Sequence, residues 1–269
     1  FCTQERMTAP PAEKRSLWQN LTEMWRMQSY RRILLSGLLR TPSGLMNLLQ
    51  MTVLSYYFGN NGRTPYVHYM LLLGIPAFLG QLIAAGAAPK LADKHGAATT
   101  FAQANVFAGL ALLAAFALFL CRPQQLTQAL PFTLLILLLF CNMFCCGLVN
   151  TVQSILIADA ADLTEKESGI RRDGIFVSGQ SLLIKLSTGV SALLQGLVFA
   201  ISGFSGTAVR QINRALYAGA DFATDPSFAT PRFAMFFLFL CLPGIAYLLS
   251  ALPYRNCLLY TSPSPRDRG

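Results

Sequence analysis

The sequence predicts an all-α membrane protein with six transmembrane helices. Hydrophobic residues make up 54% of the 269 residues and charged residues only 12%, whereas a soluble domain is typically about 25% charged. Six stretches, residues 33–58, 66–89, 98–121, 131–158, 174–203 and 233–253, are long enough to cross a bilayer, which takes about 20 apolar residues. They are apolar all round rather than on one face, which argues against a soluble helical core. Backbone groups in lipid must be satisfied within the segment, so these stretches should be helices.

The elements follow in order. Residues 1–32 form a polar lead, with Pro10-Pro11 as a linker. Residues 16–30 read as an interfacial helix carrying Trp18, Leu21, Met24 and Trp25. The first span ends in Gly59-Asn60-Asn61-Gly62, a turn signature. Pro42, Pro76 and Pro243 fall inside spans, where neighbouring helices can satisfy the freed backbone groups. A charged connector, 159–173, joins the fourth and fifth spans. Residues 204–231 form a longer loop, with a surface helix expected over 206–219. Six helices then occupy residues 33–256. Residues 257–269 resemble the translation of a sequencing-library adapter and are set aside from the fold. With Phe rather than Met at position 1, the chain is expected to be a fragment of a longer protein.

The net charge of +9 could indicate nucleic-acid binding, but its distribution argues for a membrane instead. Arg6, Lys14, Arg15, Arg26, Arg31 and Arg32 precede the first span, Lys90 and Lys94 follow the second, and Lys166, Arg171 and Arg172 follow the fourth. The alternate connectors hold Arg63, Arg122 and, in the long loop, Arg210, Arg214 and Arg232. Positive charge on cytoplasmic loops places both native ends in the cytoplasm. No nucleic-acid partner is expected; the lipid bilayer is. Cys121, Cys141, Cys145, Cys146 and Cys241 lie in or beside apolar spans and read as small hydrophobes. No histidine accompanies them, so neither a metal site nor a disulfide framework is expected.

The most informative feature is Lys185, near the middle of the fifth span. A lysine at the centre of a membrane helix costs roughly 2.5–3.5 kcal/mol on insertion scales. Such residues face a protein interior or a water-filled cavity and pair with an acid. No Asp or Glu falls within any of the six spans, so the partner should lie in a part of the protein outside this chain. Ser178, Ser181, Lys185, Thr188 and Gln195 recur at helical spacing as one polar stripe. Ahead of that helix, Asp159, Asp162 and Glu165 are three apart and share a side if the fourth span continues as a helix, with Arg171 and Arg172 beyond Gly169.

These residues resemble the glycoside–pentoside–hexuronide:cation symporters of the major facilitator superfamily. The resemblance is carried by Ala158-Asp159, Asp162, Glu165, Gly169 with Arg171, Gly174, Gln180, Lys185 and Gly203-Phe204. Tyr56-Tyr57-Phe58, the segment from Pro89 to Gly96, and the last span with Pro243 and Tyr254 are similar too. It implies a C-terminal half, helices seven to twelve of twelve, whose partner is an N-terminal six-helix half. It further implies Na⁺- or H⁺-coupled symport of a sugar or glycoside across a bacterial inner membrane, with the cation bound mainly by the other half and no further cofactor. Positions matching Gln180, Ser181, Ile184 and Lys185 line the sugar cavity in that family, and Gln153 matches a position nearby. Asp159, Asp162, Glu165 and Arg171 match a cytoplasmic cluster that holds the halves together. Asn150 stands where melibiose-transporting members have a sugar-stacking aromatic, which implies a different substrate.

A membrane enzyme and a channel or structural subunit are the competing classes. His68 and His95 sit near span ends and make no catalytic constellation. A structural subunit would have no need of a charged midspan residue. Within the transporter class, an exporter or a lipid carrier of the same fold is the alternative.

Overall fold

A computed structural model of the chain describes residues 28–60, 62, 65–168, 173–201 and 206–254, with Thr22 and Trp25. The regular structure among them is entirely helical. Most of the expected interfacial helix, and residues 257–269, lie outside the described residues. Five helices are long and apolar enough to cross a membrane: Val67–His95, Ala97–Cys121, Ala129–Lys166, Phe176–Ala200 and Pro226–Tyr254.

The first predicted span is built from shorter pieces. Helix α1, Gln28–Arg40, runs into a 3₁₀ turn, Thr41–Gly44; helix α2, Leu45–Val53, follows and widens into a π turn at Leu54–Phe58. Pro42 causes the break, because it has no N–H to offer Leu38 O. The Thr41 hydroxyl donates to that carbonyl instead, at 2.8 Å. The Leu45 N–H bonds Pro42 O rather than Thr41 O. Thr41 O accepts from Ser187 Oγ at 2.8 Å and Ser191 Oγ at 3.0 Å, both on a distant helix. The packing there depends on Gly44, where a Cβ would lie 2.7 Å from Ser191 Oγ.

Helix α3, Val67–His95, continues through Pro76 and Pro89 and ends at Gly96, φ 84°, a conformation that favours glycine. Helix α4 is Ala97–Cys121. Helix α5, Ala129–Ser168, has 40 residues and at 1.5 Å per residue is about twice the thickness of a bilayer core. Its last turns are the charged connector, so Asp159, Asp162 and Glu165 are helical. Arg171 lies outside the described residues. Helix α6 is Asp173–Ile201 and helix α7, the expected surface helix, is Gly206–Tyr217. Helix α8, Ala229–Phe236, passes through a π turn, Phe237–Cys241, into helix α9, Leu242–Ser250.

Among the described residues two large buried clusters hold the bundle, with a small third around Leu45, Leu49 and Leu238. One surrounds Tyr57, Phe58, Leu112, Phe119, Phe132 and Phe236. The other, at the opposite end, joins Tyr30, Ala84, Ala88, Phe101, Val149 and Phe176. Alanines and glycines let α3 and α5 approach closely; a Cβ on Gly147 would lie 2.7 Å from Ala84 Cβ and 3.0 Å from Gln81 Cα. Polar staples fix both ends. Tyr30 donates to Phe176 O at 2.8 Å. Tyr57 donates to Pro123 O at 3.0 Å and accepts from Leu126 N–H. Asn60, at φ 46°, donates to Ala220 O and accepts from the Phe222 N–H.

Candidate functional site

A cavity of about 630 Å³ lies where the α1–α2 break, α3, α5, α6 and α9 meet. Asn150, Gln153, Gln180, Ile184 and Thr188 line it, as do residues the sequence reading did not name, including Arg40, Asn47, Gln81, Ser187 and Tyr247. Ser181 and Lys185 do not line it. The cavity opens outward, since Asn47, Asn150, Ser154, Ile184 and Thr188 are exposed on its rim.

Helix α6 explains this division. Leu183, Ser187 and Ser191 pack toward α1 and the break. Gln180, Ile184 and Thr188 face the cavity. The predicted stripe of Ser178, Ser181, Lys185 and Thr188 is exposed, beside a second exposed face with Leu182, Leu186, Leu193 and Leu197. Gln195 is half-buried. Half-buried Ser187 and buried Ser191 fall outside the stripe because both bond Thr41 O, a carbonyl left free by the 3₁₀ turn 146 and 150 residues away.

Arg40 is the main residue the sequence reading missed. It is half-buried at the end of α1, and its Nη2 donates to Gln153 Oε1 at 2.7 Å. Its position inside an apolar span, one residue before Thr-Pro-Ser-Gly, was the signal available. Deeper in, Cys146 Sγ and Tyr247 Oη share a hydrogen bond at 3.0 Å. From there a chain of polar side chains leads away: the Ser250 hydroxyl contacts Tyr247 O and Asn105 Oδ1, and Ser36 donates to Ser250 O at 2.6 Å. Such satisfied networks are the form in which polar groups are tolerated at membrane depth.

At the far end, Asp159 lines a smaller pocket of about 200 Å³ with Arg32, Leu163 and Tyr254. Asp159 and Asp162 are exposed and Glu165 is half-buried. Among the described residues no cluster of His, Cys, Asp and Glu is placed to hold a metal ion.

A family profile described as MFS/sugar transport protein matches residues 2–251. The chain belongs to this family. It is 26% identical over 256 residues to the inner membrane symporter YicJ of Escherichia coli strain K12, covering 94% of this chain and 48% of that protein. It is also 26% identical over 167 residues to an uncharacterized 29.9 kDa protein in the crtE 3′ region of Pseudescherichia vulneris, covering 62% of this chain and 56% of that one. The chain thus spans about half the length of the curated relatives it matches. No solved structure matches it. The family is that of membrane transporters, and the all-helical fold with five membrane-capable helices agrees with it.

Proposed function

We propose that this chain is the C-terminal half of a secondary transporter that carries a sugar or glycoside together with Na⁺ or H⁺. The observation that carries the reading is the outward-opening cavity, lined by amide and hydroxyl side chains at the depth where a helix breaks. Transporters bind substrate near the bilayer midplane at the interface of two repeats, using interrupted helices. A second six-helix half laid over the exposed rim would close the cavity. The exposed stripe on α6 supports this, because Ser178, Ser181 and Lys185 do not belong against lipid. Gly174, Gly189 and Gly196 meet no neighbouring atoms, which leaves room for a close-packed helix. The pieces from Gln28 to Phe58 then act as one interrupted crossing, giving six. On this reading Gln180, Ser181, Ile184, Lys185, Gln153, Asn150 and Thr188 serve substrate and coupling, while Asp159, Asp162, Glu165 and Arg171 form the cytoplasmic gate.

Two measurements test it. In vesicles carrying the full-length protein, labelled sugars should accumulate when a Na⁺ or H⁺ gradient is imposed and leak away when it is dissipated. Equilibration without gradient-driven accumulation would sink the coupling. In a cysteine-depleted background, single cysteines at Asn61 and Ala218 should react from outside, and at Lys94 and Lys166 only from inside. A pattern needing an odd number of crossings would overturn the six-helix topology.

A further inference from the structure

We propose that α7 lies along the external face of the membrane and holds the phosphate of an anionic phospholipid between Arg210 and Arg214. The inference goes beyond transport and needs only the topology given above. Arg210 and Arg214 are one helical turn apart and exposed on the same side of α7. Tyr217 completes that side and is 71% exposed. The opposite side is anchored. Ile212 and Leu216 are buried in the cluster around Tyr57 and Phe132, and Tyr56 donates to Asn213 Oδ1 at 3.0 Å. The helix is therefore fixed on the rim of the bundle, beside the ends of the spans, with both arginines exposed.

The acids nearest in sequence are engaged elsewhere. Within α7 there is no Asp or Glu. In the loop that follows, Asp221 accepts from the Ala223 N–H at 3.0 Å and the Thr224 hydroxyl at 3.1 Å. Asp225 accepts from the Ser227 N–H at 2.8 Å and hydroxyl at 2.7 Å. Buried Arg232 is the cation that stands by these two carboxylates. Among the described residues Arg210 donates only through Nε, to Gly206 O at 3.1 Å, and Arg214 makes no hydrogen bond or ion pair. Like charges at this spacing disfavour a helix, so the pair calls for a shared anion. Guanidinium forks match phosphate oxygens. A soluble anion gains little from so open a face, because exposed ion pairs are weak. A bilayer instead concentrates anionic headgroups at that level. Tyr56, Tyr66 and Tyr69 pack at the same end of the bundle as α7, and with Tyr217 they form the aromatic belt that marks the headgroup region. A bound lipid also gives a reason for two arginines on the side of the membrane where basic residues are fewer.

The test uses full-length, cysteine-depleted protein with a fluorophore on Gln211→Cys, an exposed position of α7. The protein is placed in phosphatidylcholine vesicles holding a minor share of phosphatidylglycerol, with bromine quenchers on the chains of one lipid or the other. Phosphatidylglycerol should be enriched beside α7 by roughly tenfold over its share of the bilayer, the scale of two arginines near an anionic surface. Arg210→Gln with Arg214→Gln should bring the two lipids to parity. Arg210→Lys with Arg214→Lys should keep part of the enrichment, because the charge stays and the fork is lost. Lys90→Gln with Lys94→Gln, at the other end of the bundle, should leave it unchanged. Parity in the protein that keeps both arginines overturns the inference, even if the double glutamine variant fails to fold. Enrichment that survives loss of both arginines also overturns it. So does absence of quenching by either lipid, since α7 then faces water or the other half. Enrichment abolished by added glycerol phosphate would mark a site for soluble phosphates and overturn the lipid assignment.

Discussion

Replacing Arg232 with alanine is expected to cost most of the folded protein. Arg232 is 4% exposed and stands on α8 beneath the loop that follows α7. Its Nη1 donates to Phe222 O at 2.9 Å and Ala223 O at 2.6 Å. Those carbonyls belong to the segment that Asn60 also clamps, through Ala220 O and the Phe222 N–H. Phe222 in turn packs on Phe228 and Tyr56. Removing the guanidinium would leave two carbonyls without donors and a cavity beneath the loop. Hydrogen bonds to a charged group contribute about 1.5–3 kcal/mol each, so the loss is on the order of 3–5 kcal/mol. Arg232→Lys should recover part of it, since an ammonium reaches one carbonyl well but cannot fork to two. Thermal unfolding in detergent, followed by size exclusion, reads the effect. An alanine variant with the wild-type melting midpoint would show that the loop is held by Asn60 and the aromatic contacts alone.

Arg232 also marks a limit of what the sequence made legible. Read along the chain it was one of three basic residues in an external loop, and nothing in its neighbourhood distinguishes it from Arg210 or Arg214. Both of those are exposed, while Arg232 is buried. The difference comes from a loop folding back over α8, a contact that hydropathy does not carry. Helix positions were legible, because long apolar runs leave the backbone one solution in lipid. Their ends were less so: α3 runs six residues past 89 and α5 ten residues past 158, since charged residues outside the membrane are as compatible with helix as those inside are not.

The break at Thr41–Gly44 was half legible. Pro42 and Gly44 announce it, but the groups that satisfy it, Ser187 and Ser191, lie on a helix far along the chain. For the same reason helical spacing predicts one polar stripe on α6, whereas the helix has a packed side, a cavity side and an exposed side. Arg40 directly precedes the Thr-Pro-Ser-Gly break, where hydropathy does not separate a cation that lines a cavity from one that sits at the end of an interrupted helix. The structure places Arg40 on the cavity and Lys185 outside its lining, exposed on α6.

That placement sharpens what substituting Lys185 should do. The residue is exposed on α6, flanked by Ser181 and Thr188 on its own stripe, with Ile184 and Thr188 reaching the cavity. At 1.5 Å per residue it lies roughly 16 Å from the start of its span, close to the bilayer midplane. A lysine there cannot rest against lipid without a substantial insertion cost; on the proposed reading, a face of the other half covers it and supplies an acid. Cation binding to that acid would release the lysine, tying ion occupancy to the movement of one half against the other. Lys185→Ala is therefore expected to abolish gradient-driven sugar accumulation while the protein still inserts and remains monodisperse. Lys185→Arg should fail as well, because a wide planar fork does not replace a compact ammonium. Neutralising the partner acid in the Lys185→Ala background should restore facilitated, uncoupled transport, since it removes the charge left buried and unpaired. If Lys185→Ala accumulates sugar as wild type does under the same imposed gradient, the lysine has no part in coupling, and its exposure on α6 reflects only helix packing between the halves.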